Sequence, residues 1–77
     1  MSKPLAQLVA EQVRAVLGIR QVSGAELARR LNVSHAYVSR RLNAETAFDV
    51  TELETIAAIL DVPVSRFLPA DDRAAAS

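Results

Sequence analysis

Within ten residues, SHAYVSRRLN at 34–43, the chain gathers an imidazole (His35), two guanidinium groups (Arg40, Arg41), a carboxamide (Asn43) and the hydroxyls of Ser34, Tyr37 and Ser39. Val38 and Leu42 stand four apart among them. A helix over this stretch turns those two inward and leaves His35, Ala36, Ser39 and Arg40 on another face. Such a face suits the edges of base pairs. A guanidinium donates two parallel bonds to guanine O6 and N7, an imidazole donates to a base acceptor, and an alanine methyl meets a thymine methyl. Ser34, Tyr37, Arg41 and Asn43 are candidates for the sugar–phosphate backbone, joined by Arg29 and Arg30 from the segment before. Each has a plainer alternative. Arg40 and Arg41 can form a solvated pair, His35 an exposed polar residue, Ala36 a helix former, Asn43 a helix cap and Tyr37 rim packing, while Arg29 and Arg30 can be solvated.

Positioning such a face takes a short helix set against another. Residues 24–43, GAELARRLNVSHAYVSRRLN, carry two helical patterns separated by a turn too tight for them to run parallel. Asn32 tolerates the left-handed conformation that ends a helix, and Ser34 accepts from the free amides that open the next. A helix, a tight turn and an Arg-bearing second helix make a helix-turn-helix, whose second helix fits the DNA major groove.

The remaining apolar spacing predicts an all-α, compact five-helix domain with the helix-turn-helix as helices 2 and 3. Residues 4–17 form the first helix, with Leu5, Leu8, Val9, Val13, Val16 and Leu17 on one stripe. Ser2 caps it, Pro4 sits in its first turn and Gly18 is its exit. Ser23, Ser34 and Asp49 cap the next three helices. Glu26 and Glu52 stand three residues beyond two of those caps, and Val22, Val33 and Phe48 are placed as hydrophobic staples. The fourth helix, 50–60, buries Leu53, Ile56, Ala57 and Leu60. After Pro63 a short fifth helix turns Val64, Phe67 and Leu68 inward. Residues 1–69 are thus one domain and the Ala/Asp-rich residues 70–77 a disordered tail. No segment alternates with period two, so no sheet is expected.

A chain of 77 residues buries only about 60% of its extended surface on folding, so dimerisation is a natural supplement. Val64 and Phe67 are the candidates for that surface. Zero cysteines exclude disulfides and thiolate metal sites and fit a reducing cytoplasm. A single His cannot build a zinc site, and no cofactor or metal is expected. No apolar run approaches the roughly 20 residues a membrane span needs, and no signal-peptide pattern follows Met1. With no carboxylate pair in an evident cleft and little room for a substrate pocket, the chain does not read as an enzyme and no small-molecule substrate is expected. The net charge is zero, unlike most nucleic-acid binders. Its distribution is uneven. Lys3 and Arg14 against Glu11 leave residues 1–19 at +1, five Arg against Glu26 and Glu45 leave residues 20–45 at +3, and two Arg against six acids leave residues 46–77 at −4.

From Ser23 to Leu68 the chain resembles the lambda-repressor-like family of five-helix DNA-binding domains, the Cro/C1 or XRE type. The matches are Leu27-Ala28, Leu31-x-Val33-Ser34, Tyr37-Val38-Ser39-Arg40, Asn43, and Ile56-Ala57 with Leu60-Asp61-Val62 and Phe67-Leu68. The resemblance implies a transcription regulator, a phage repressor, Cro protein or antitoxin, that binds palindromic double-stranded operators as a homodimer. It implies that His35, Ala36 and Arg40 read bases and that Asn43 meets phosphate. Three positions depart from the family: Gly24 stands where Gln is common, Arg41 where an apolar residue is usual, and Ala44 where Gly follows Asn43. The leading expectation is a sequence-specific DNA-binding repressor. The alternative, favoured by the net charge, Gly24 and the acidic second half, is an antitoxin-like or other protein-interaction module that keeps the fold without reading DNA. The 77 residues suit either an entire Cro-sized regulator or the DNA-binding head of a longer repressor.

Overall fold

Apolar residues at helical spacing, closed by polar residues that accept a left-handed backbone, produce the architecture. A computed structural model describes residues 3–69. Among them the chain forms α1 (Leu5–Arg20), α2 (Gly24–Leu31), α3 (His35–Leu42), α4 (Val50–Leu60) and a short 3₁₀ turn, Val64–Phe67, with no strand. The expected fifth helix is therefore a single 3₁₀ turn. The Ser2 cap and the 70–77 tail lie outside the described residues; Pro4 occupies the position before α1.

Each junction is closed by the same device. Gln21, Asn32, Ala44 and Asp61 all adopt φ near +60°. Around Gln21, the Gln21 N–H donates to the Gly18 carbonyl (3.2 Å) and the Val22 N–H to Leu17 (2.9 Å). Asn32 with Val33, Ala44 with Glu45, and Asp61 with Val62 repeat this pair of bonds. The pattern is the Schellman closure, which returns orphan carbonyls to backbone donors. Val22, Val33 and Val62 then pack against the core. This explains why α1 runs three residues past the expected end. Gly18 stays helical, and the stop falls at Gln21, where Val22 can reach the apolar interior.

The polar caps predicted for α2, α3 and α4 all form. Ser23 Oγ accepts from the Glu26 N–H (3.0 Å), Ser34 Oγ from the Tyr37 N–H (3.0 Å) and Asp49 Oδ1 from the Glu52 N–H (2.7 Å). The reciprocal bond of a capping box is present at Asp49, whose N–H donates to Glu52 Oε1 at 2.9 Å. At α2 the Glu26 carboxylate turns instead to Arg29 and Arg30.

The core joins Val9, Val13, Val16 and Leu17 of α1 to Leu27 and Ala28 of α2, Val38 of α3, the four predicted residues of α4, and Phe67. Phe67 is the largest fully enclosed side chain, at 0% exposure, which corrects its assignment to a dimer surface: its ring holds α1 to α4 from inside. Val64 is half-buried against the same core. Leu68 is exposed rather than inward, because a 3₁₀ turn eclipses positions three apart and turns the next residue away. Leu5, expected on the buried stripe of α1, is also exposed.

Candidate nucleic-acid interface

α2 and α3 pack directly on each other across the Asn32 turn, and α3 also packs on α1. The inner face of α3 is fixed by Val38, 1% exposed, with Leu42 half-buried beside it. Arg14 of α1 donates to the Leu42 carbonyl at 2.6 Å, holding the last turn of α3 from a helix distant in sequence. A second face carries His35, Ala36 and Arg40, all exposed, with Ser39 half-buried among them. Positions 35, 36, 39 and 40 share a face because a helix returns to it every three to four residues. The Arg40 guanidinium has no partner among the described residues. Its carbonyl accepts from the Glu45 N–H at 2.8 Å, closing the helix below it.

The other predicted contacts are distributed less simply. Asn43 is exposed, its Nδ2 3.5 Å from Ser39 Oγ, so the two side chains sit together at the end of the outward face. Arg29 and Arg30 are exposed on α2 and both pair with Glu26, Arg30 at 2.8 Å. The departure at Gly24 has a physical consequence. The space a side chain would take there is bordered at 3.5 Å by His35 Nε2 and by a Leu42 methyl. The imidazole thus lies against the start of α2, at the front of the reading face.

Tyr37 and Arg41, read from the sequence as backbone-contacting residues, are engaged inside the chain. Arg41 lies over the Tyr37 ring, its guanidinium carbon 3.7 Å from the centroid, an arrangement favoured by the ring's quadrupole. Arg41 Nε stands 3.0 Å from Glu52 Oε2, and the Tyr37 hydroxyl donates to the same carboxylate. Partial burial pushes the Glu52 carboxyl up; the hydrogen bonds from Tyr37, the Asp49 N–H and Arg41 outweigh it and hold the group below the usual carboxylate range. The hydrogen bond to Glu52, then burial, raise the Tyr37 phenol.

These pairings reshape the basic segment. Of the five arginines between residues 20 and 45, Arg29 and Arg30 share Glu26, Arg41 is held by Glu52, and Arg20 donates to the Asp61 carbonyl at 3.2 Å. Arg40 is left as the free cation of the outward face. Two contributors escaped the sequence reading. Nothing local marks Arg14 as a partner of Leu42, and Glu52 was visible as a capping residue but not as the acceptor of Tyr37 and Arg41. Among the described residues no group of three His, Asp or Glu side chains converges to hold a metal, and no helix is long and apolar enough to cross a membrane.

Comparison with known proteins adds to this geometry. The model of the Helix-turn-helix family matches residues 11–67. Among solved structures, the chain is similar to the crystal structure of the hypothetical transcription factor NHTF from Neisseria. The TM-score is 0.79 at 23% identity, over 95% of this chain and 84% of that one, a likeness of fold. No curated protein matches the sequence.

Proposed function

The chain belongs to the Cro/C1-type helix-turn-helix family, and from that premise we propose that it is a sequence-specific, double-stranded-DNA-binding regulator that represses transcription. The observation that carries this reading is the division of α3 into a face locked to the core by Val38 and an outward face with a free guanidinium, Arg40. In a major groove, Arg40 takes a guanine, His35 a base acceptor and Ala36 a thymine methyl, with Ser39 between them. Ser34, Asn43, Arg29 and Arg30 border the phosphates and supply affinity without sequence preference.

A homodimer on a palindromic operator would set two α3 helices about 34 Å apart in successive major grooves. With Phe67 enclosed, the surface for pairing is assigned to Val64 and the exposed Leu68. Repression follows most simply from occupancy of the operator, and a DNA partner would put the protein in the cytoplasm, at the nucleoid of a bacterium or, for a phage protein, in its host.

A second reading has an observation in its favour. Pairing of Arg29 and Arg30 with Glu26, and of Arg41 with Glu52, thins the positive face, and a partner protein would suit that surface better than bare phosphates. Mobility shift on mixed-sequence duplex separates the two. Binding at about 50 mM salt supports the regulator, because electrostatic association survives there; no binding at that salt overturns it.

A further inference from the structure

Arg40 and Arg41 are neighbours in sequence and opposites in structure. Arg40 is exposed, while the Arg41 side chain is 16% exposed, stacked on Tyr37 and tied to Glu52. Glu52 is just as enclosed, at 16%. Its carboxylate receives the Arg41 Nε, the Tyr37 hydroxyl and the Asp49 N–H. It sits in the first turn of α4, where a negative charge is stabilised by the helix dipole, and its capping bond to Asp49 fixes it to the backbone. It is a rigid anion. Arg41 is the long, flexible partner of the two, and a guanidinium binds phosphate with the same paired geometry it uses for a carboxylate.

The same cluster links the side chains of α3 to the first turn of α4, beside the core that Val38 shares with α4. Glu52 therefore acts on both the orientation of α3 and the charge it presents. Building on the DNA-binding reading above, we infer that Glu52 is a positioning residue that stands in for a phosphate, keeping Arg41 off the DNA backbone so that α3 offers one free guanidinium and not two.

The consequence is selectivity. A second free arginine would strengthen binding to every sequence alike, because phosphate contacts carry no sequence information. Held by Glu52, it leaves discrimination to the side chains that reach base edges. Each phosphate contact on a duplex steepens the salt dependence, as log–log slope, by about 0.9. Between 50 and 200 mM salt one such contact changes the affinity loss by about 3.5-fold.

The test is the salt dependence of binding to a mixed-sequence 20-base-pair duplex, with the full chain as wild type, Glu52→Gln, Arg41→Gln and the double variant. Glu52→Gln should bind the duplex more tightly at low salt, with a slope steeper by about 0.9 per protomer. Arg41→Gln should keep the wild-type slope, and the double variant should return to it. An unchanged slope in Glu52→Gln overturns the inference. So does a slope shallower by about 0.9 in Arg41→Gln, because Arg41 would then already sit on phosphate. If Glu52→Gln does not fold by circular dichroism, Arg41→Gln against wild type decides alone by the same criterion. Wild-type protein that binds no duplex at about 50 mM salt refutes the DNA-binding reading itself, and this inference with it.

Discussion

Ala44→Gly should stabilise the protein, and the gain can be worked from the backbone. Ala44 closes α3 at φ 62°, a conformation that costs an L-residue about 1–2 kcal/mol because its Cβ crowds the following carbonyl. Glycine removes that cost but loses about 0.5–1 kcal/mol more backbone entropy on folding than alanine does. The midpoints of these ranges leave a net gain of about 0.75 kcal/mol, a rise in Tm of about 3–6 °C for a domain of this size. The closing bonds, Ala44 N–H to Arg41 and Glu45 N–H to Arg40, are backbone bonds that glycine keeps. Asn32 sits at nearly the same φ, 60°, but asparagine tolerates this region, so Asn32→Gly should gain little. Thermal unfolding followed by circular dichroism at fixed protein concentration measures both. A Tm for Ala44→Gly at or below wild type, or an equal gain from Asn32→Gly, would refute the strain argument.

Phe67→Ala should cost about 3–5 kcal/mol in urea unfolding, because it empties an enclosed aromatic site. Leu68→Glu should leave the stability of the dilute, unpaired chain within about 0.5 kcal/mol, as expected for an exposed position; a large loss there would show that Leu68 is packed within its own protomer. Because the Glu52 carboxyl is depressed on folding, its contribution is complete above the unfolded glutamate value of about 4.3. That contribution is lost as pH falls through the lower folded value. Glu52→Gln should accordingly be less stable than wild type at neutral pH, with the gap narrowing below pH of about 4. A gap that stays constant would mean that the carboxylate charge contributes nothing. Arg29→Ala and Arg30→Ala should weaken binding to all duplexes alike and make the salt slope shallower; loss confined to one sequence would remove them from the phosphates.

The helices were legible because their signals are local. Apolar spacing marks the buried faces, and Ser23, Ser34 and Asp49 announce helix starts with short side chains that accept from amides three residues on. Asn32 announced its own turn. Asp61 likewise ended the fourth helix where its short polar side chain tolerates the left-handed region; Gln21 announced nothing, since glutamine is not a usual left-handed stop, and its closure depends on Val22 reaching the core. Phe67 was legible as an inward residue of its segment. Its complete enclosure depends on packing between α1 and α4, which no local pattern states.

In the candidate site, the sequence placed Val38 inward and His35, Ala36 and Arg40 on a common face. The fate of Arg41 was hidden, because its partner Glu52 is eleven residues away on another helix. Long-range pairings of this kind decide which charges of a basic segment remain free. The counted surplus of +3 in residues 20–45 therefore overstates what the folded surface offers to DNA.

The central claim is that the outward face of α3 reads base pairs through Arg40. Its most direct test is the affinity of Arg40→Ala, relative to wild type, for a site selected from a random duplex pool and for a shuffled version of that site. A lost bidentate base contact is worth about 1–3 kcal/mol, a loss of about 5- to 150-fold. That loss should fall on the selected site, with one base-pair position losing its preference. An equal loss on the selected and shuffled duplexes would make Arg40 a phosphate contact and contradict the account.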